Sequence, residues 1–321
     1  MTMFKLVDTL NSMRSATFPR TSRPVRKSGG GVSRAFSMSS AGRWRTGARP
    51  AVICVLLLLV GGCARGGWVE TYPDLAQQAR TQPASLVEQA TVETTGLHRL
   101  YGSYRLEARR GAGSRSIDLV VMAEIPDRLS IEMLAPTGQT EAYLKSSSTA
   151  VALWIGEENR LYRGPAGDGA FAAALGLDLS VQDAVSTLLG RLPGWTGLGS
   201  GEVGWDEKEQ RIRVDTGVST VGWLHPVTLR FDRMQFLGRG APTEVLWPEW
   251  SNDPGVVPRV IEIDVPTENI ELHLRLASSW LADPPLVDTD FEVAVLPAGT
   301  QELSLDVLAA EGGLLHRGFE Q

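Results

Sequence analysis

The sequence predicts a mainly β protein, in which about ten antiparallel strands form a meander or barrel with one dry face and one wet face. Three observations support this. Apolar and polar residues alternate with a period of two through segment after segment. Turn residues recur between those segments, at Pro126-Asp127, Pro136-Thr137-Gly138, Glu157-Glu158-Asn159 and Thr267-Glu268-Asn269. Few helical patterns separate the strands, which excludes parallel βαβ units.

Residues 1–37 are rich in Ser, Arg and Gly, show no periodicity, and read as a leader. Arg43, Arg45 and Arg49 form a basic flank before the apolar run Ala51 to Val60. That run is too short for a spanning helix, which needs roughly 20 apolar residues, and suits a signal-peptide core. Val60, Gly61, Gly62 and Cys63 then resemble a bacterial lipobox: a branched apolar residue, two small ones, and a cysteine to be lipidated. Small residues let a peptidase hold the extended backbone closely, and the thiol accepts a thioether-linked diacylglycerol. A start at Met38 gives a signal of ordinary length. A mitochondrial-type presequence shares the Arg and Ser bias but leaves the cysteine unexplained. A buried core helix ending at a glycine cap leaves the basic flank unexplained. The expectation is a leader and signal over 1–62, with Cys63 as the lipidated mature N-terminus. Ala64 follows it, where an aspartate would resemble an inner-membrane retention signal, so the expected location is the periplasmic face of the outer membrane.

Residues 63–95 read as a lipidated N-terminus and tether, then a short helix over Ala84 to Thr94 with Leu86, Val87 and Ala90 on one side. From Leu97 the period changes to two. Ile117, Leu119, Val121, Ala123 and Ile125 share one face, opposite Asp118, Met122 and Glu124. The same alternation sets Leu129, Ile131 and Met133 together, then Val151, Leu153 and Ile155. Two short helices interrupt the series, over Ala170 to Leu175 and Val181 to Leu189. The second opens with Ser180 as N-cap, carries Asp183 in its first turn and ends at Gly190. Alternation then resumes with Val227, Leu229 and Phe231, with Ile261, Ile263 and Val265, and with Ile270, Leu272, Leu274 and Leu276. Phe291, Val293 and Val295 read as a last strand. Gly238 to Val257, rich in Pro, Gly and Trp, reads as a long surface loop. Residues 96–300 thus form the expected domain and 301–321 a tail.

Charge narrows the function. The whole chain has a formal net charge of −6. Residues 1–62 hold ten of the basic residues and one acid, so the remainder carries 21 basic and 36 acidic residues, a net of −15. Such a body lacks the basic footprint that nucleic acid requires. Both cysteines, Cys54 and Cys63, fall in the signal region, so no disulfide is expected and the core must supply stability.

Signals of catalysis are scarce, and neither a catalytic residue, a metal site nor a cofactor is expected. His98, His225, His273 and His316 are dispersed, with no i,i+4 pair to hold zinc. Gly199 to Gly204 matches G-x-G-x-x-G but neither follows a parallel strand nor opens a helix. Asp288 and Asp290 read as a solvated turn. Six tryptophans between Trp195 and Trp280 read as core and loop anchors, or as a rim around an apolar ligand.

The stretch Arg128 to Leu144, "RLSIEMLAPTGQTEAYL", resembles LolB, the outer-membrane lipoprotein receptor, and its LolA/LolB-like relatives. "VSTLLGRLPGW", "TLRFDRMQF" and "VIEIDVPTENIELHLRL" are similar to that family's helix and closing strands, in the same order. "FEVAVLPAG" looks more like LolA-like relatives of unknown function. The resemblance covers about residues 95–300. It implies an open antiparallel β half-barrel with a short helical lid or plug over a hydrophobic cavity. It also implies acyl chains of lipoproteins or lipids as ligands and a periplasmic carrier protein as a partner. The cavity would be lined by Leu119, Val121, Ile131, Met133, Leu229, Phe231, Leu272 and Leu274. In the receptor the protruding Pro-x-Gly turn presents a leucine used to place lipoproteins in the membrane. Here Pro136, Thr137 and Gly138 form that turn, so the resemblance implies lipid binding without insertion. The rival reading is an anchored scaffold of the same fold, its core filled by its own side chains and serving protein–protein interaction in the envelope.

Overall fold

The computed structural model describes residues 72–314, apart from 83–84, 87, 91–96, 168, 196–200, 218, 239–241, 252–256, 281–285 and 294. The lipobox, Val60 to Cys63, lies outside the described residues. Alternation and tight turns build two meanders. The first comprises β1 (Arg99–Arg110), β2 (Gly113–Glu124), β3 (Arg128–Leu134), β4 (Thr140–Ser146), β5 (Ala150–Ile155) and β6 (Arg160–Pro165). The second comprises β7 (Glu202–Asp206), β8 (Arg211–Asp215), β9 (Thr220–Leu224), β10 (Phe231–Phe236), β11 (Thr243–Ser251), β12 (Val257–Val265) and β13 (Ile270–Trp280). Antiparallel pairing of β1 with β13 joins them, with Leu106 opposite Leu274 and Ala108 opposite Leu272. A last strand, β14 (Gln301–Ser304), pairs with β6 in parallel. The order is β14-β6-β5-β4-β3-β2-β1-β13-β12-β11-β10-β9-β8-β7, an open sheet of 14 strands with two free edges.

Register puts the apolar residues of successive strands on one face. Leu119 faces Met133 and Val121 faces Ile131. Ile131 faces Leu144, which faces Leu153. On the other meander Met234 faces Val245, Val245 faces Ile263 and Ile263 faces Leu272. This dry face is covered by α2 (Ala170–Leu175), α3 (Val181–Leu188) and α5 (Leu305–Ala310). α3 packs on β2 and β3, and α5 packs on α2 and β6. The Ser180 hydroxyl accepts from the Asp183 amide, while the Asp183 carboxylate accepts from the Ser180 amide, a capping box that fixes where α3 begins.

Several expectations are corrected. Among the described residues the strands number 14, not about ten, and one of them pairs in parallel. The expected loop 238–257 contains β11. Its Pro248 has no amide to give a ladder, and the pairing register shifts across that stretch while the proline faces outward. The expected strand at 291–295 is instead the end of the short helix α4 (Asp288–Phe291), followed by irregular chain in which Val295 is fully exposed. The expected tail builds β14 and α5, with Leu305 and Leu308 buried. The tether contains α1 (Pro73–Thr81), whose Pro73 stands in the first turn where a missing amide costs nothing. Residues 85, 86 and 88–90 are helical as expected, with Leu86 and Ala90 buried.

Candidate functional site

The candidate cavity residues are Leu119 and Val121 on β2, Ile131 and Met133 on β3, Phe231 on β10, and Leu272 and Leu274 on β13. Leu229 is not on a strand: it lies in the β9–β10 turn with φ 53° and is still buried. All eight belong to or pack against one apolar core, Ile131 and Met133 being half-buried at its margin. Val181, Val185 and Leu188 of α3 and Phe171, Ala174 and Leu175 of α2 lie in the same core. Trp247 seals the plug from β11, its indole nitrogen donating to the Thr187 carbonyl at 3.0 Å.

A cavity of about 90 Å³ opens at one end of the sheet. It is lined by Gly176 and Asp178 of the α2–α3 linker and by Phe236, Thr243, Val265 and Glu268 at the ends of β10–β13. Sites for drug-sized ligands have about 300–1,000 Å³. This cavity is smaller than that.

The plug is made of short pieces joined by glycines. α2 runs between Gly169, φ 92°, and Gly176, φ 82°. α3 is followed by Gly190, φ 66°, and Gly194, φ 73°. Helices this short hold their shape only through packing. Within the core the Tyr104 hydroxyl is buried without a hydrogen-bond partner among the described residues, as is the indole nitrogen of Trp195. Burial pushes the Tyr104 phenol well above its ordinary range. Both groups can donate to an oxygen that none of the described residues supplies.

Pro136, Thr137 and Gly138 lie exposed in the β3–β4 turn, where the Gly138 amide donates to the Ala135 carbonyl at 2.8 Å. Pairing of Leu134 with Thr140 and of Arg110 with Gly113 puts this turn at the same sheet end as the small cavity. His273 is half-buried beside Glu262 at 3.6 Å. Asp288 pairs with Arg128, while Asp290 accepts from the Val287 amide.

The sequence reading missed a buried polar surface on the other face. Lys145 is 3% exposed, and its ammonium donates to the Asp290 carbonyl at 3.0 Å. Burial lowers its pKa, while Glu132 and Asp290 act to raise it. Burial raises the pKa of Glu132, against the opposing pull of Lys145. Tyr143 stacks on Trp154 with centroids 5.4 Å apart, and Arg128 lies 4.3 Å over the Phe291 ring. The segment through α4 therefore straps this face. Its signal was Phe291, an aromatic read as a strand residue. Among the described residues no group of His, Cys, Asp or Glu is placed to hold a metal ion.

No family model matches the chain, and no curated protein matches it. Solved structures are similar to it. A DUF1329 family protein from Desulfovibrio piger is 13% identical, with 66% of this chain and 98% of that one covered at a TM-score of 0.48. A LolA superfamily protein from Nitrosomonas europaea is 10% identical, with coverages of 65% and 96% and a TM-score of 0.44. A putative outer membrane lipoprotein-sorting protein domain from Vibrio parahaemolyticus is 12% identical, with coverages of 70% and 97% and a TM-score of 0.48.

Proposed function

We propose that this chain is a cell-envelope lipoprotein that binds acyl chains of lipoproteins or lipids between its dry sheet face and the α2–α3 plug, and that the present conformation is the closed one. One observation carries the reading: a broad apolar face is sealed by helices of six and eight residues, the first flanked and the second followed by left-handed glycines. Such helices have little stability of their own. An acyl chain can replace their contacts at about 0.8 kcal/mol per buried CH₂. Binding then needs displacement of the plug and no reacting group.

The scaffold reading is favoured by one observation, the filling of the core in this conformation. Titration with a fluorescent fatty acid separates the two. Wild type should bind, and Val121→Phe, which overfills the face at a cost of about 1–3 kcal/mol, should stay folded and bind at least tenfold more weakly. A folded Val121→Phe protein that binds as well as wild type, or a wild type that binds nothing, leaves the scaffold.

The anchor is proposed to be the lipid on Cys63, at the periplasmic face of the outer membrane, with a periplasmic carrier as partner. Cys63→Ser should move the protein out of the membrane fraction or stall it unprocessed. Normal processing with unchanged fractionation would remove Cys63 from this role.

A further inference from the structure

Gly176 joins three features. It caps α2 in the left-handed region. It lines the small cavity with Asp178. Its backbone also packs against the C-terminal turn: a Cβ on Gly176 would lie 2.8 Å from the Gly312 carbonyl oxygen, and one on Gly313 would lie 2.5 Å from the Gly176 nitrogen. Gly312 and Gly313 have φ of 82° and 79°, so only glycines make this approach without strain.

The chain reaches that turn through α5. Leu305 covers Gly164 of β6, where a Cβ would meet its side chain at 2.8 Å, and Leu308 is fully buried. The C-terminal segment thus holds the end of α2 from one side, while the cavity lies on the other. Phe236 and Val265 in the cavity wall belong to the apolar core. Asp178, Thr243, Thr267 and Glu268 supply polar groups around them. Leu237, next in the chain to Phe236, is 48% exposed. An apolar floor continuous with the core, beneath a polar rim, fits a molecule with a chain and a polar head.

We infer that this cavity is the closed mouth of the acyl-chain site, with the Gly176–Asp178 linker as its gate and the segment Leu305–Gly313 as the latch that holds the gate shut. The inference rests on the lipid-binding reading above. The chain of an acylated amphiphile passes between the linker and the Phe236–Val265 wall, and its head stays at the rim.

Stopped-flow uptake of dansylated undecanoic acid by the full chain tests it. Leu308→Ala and the milder Leu308→Val loosen the latch and should speed uptake, the former by at least about tenfold. Val295→Ala, fully exposed in the chain after α4, should leave the rate unchanged. Gly238→Trp at the rim should slow it. Amide exchange confirms that each variant is folded, and should show faster exchange at Leu177 and Leu179 in the Leu308 variants. If wild type and variants all bind the probe at one rate, the latch and mouth are wrong while the lipid site stands. If none of them binds it, the lipid reading itself falls, and this inference with it.

Discussion

Tyr143 carries a buried hydroxyl with no hydrogen-bond partner among the described residues. An unpaired buried polar group costs about 1–3 kcal/mol. Tyr143→Phe should therefore leave stability at pH 7 unchanged or raise it by up to about 2 kcal/mol, read by denaturant unfolding. The same hydroxyl has an alkaline signature. Burial and the nearby Glu132 carboxylate push its pKa up to about 12, against the pull of Arg163. Between pH 10 and 12 the native state keeps a proton that the unfolded chain has lost, so stability falls as pH rises through that window. Tyr104, raised by burial, acts in the same direction. Tyr143→Phe should make the alkaline loss shallower. A loss of more than about 1 kcal/mol at pH 7 would mean that the hydroxyl has a partner after all.

The plug helices depend on their attachments. Trp247→Phe removes the hydrogen bond to the Thr187 carbonyl and empties part of a fully buried site. The expected cost is about 2–3 kcal/mol, concentrated in α3. Amide exchange should quicken over residues 185–189 and stay unchanged in β2; an equal change in both would show that the plug and sheet open as one unit. α3 was legible in the sequence because Ser180 and Asp183 write their own cap, and β2, β3, β5, β12 and β13 because apolar residues recur at every second position along one of their faces. β4 was harder to read: five consecutive residues, Ala142 to Ser146, are buried by core on one side and by the α4 strap on the other, which erases the alternation. β11 was hidden by its proline. The candidate residues on β2, β3 and β13 were found together because period two reports a shared face. Lys145 and Tyr104 were not found, because a charge or a hydroxyl in an alternating strand reads as solvated until the opposing segment is placed.

At the scale of the whole molecule, the two meanders depend on a single seam and on edges of different kinds. The β1–β13 seam runs the length of β1 and carries a hydroxyl pair, Ser103 to Ser278, at 2.7 Å. At this seam a Cβ on Gly102 would press on the backbone, 3.0 Å from the Ser278 carbonyl oxygen. One edge ends on β7, with α1 beside it and Arg80 paired with Glu207. The other edge is finished by β14, four residues long, which blunts it against pairing with other chains. Truncation after Thr300 should bare β6, remove the support of α2, and give a protein that self-associates with concentration in sedimentation. A truncated chain that stays monomeric would show that β6 is protected by its own arginines, Arg160 and Arg163.

β14 and α5 leave a ribosome long after β6 and α2, which they complete. Until those two elements arrive, the growing chain has a bare edge and an unsupported plug beside an apolar surface. The interval is a vulnerability, because a chaperone must shield that surface or a neighbouring strand will. The same interval gives any apolar molecule at hand access to that surface before it is covered.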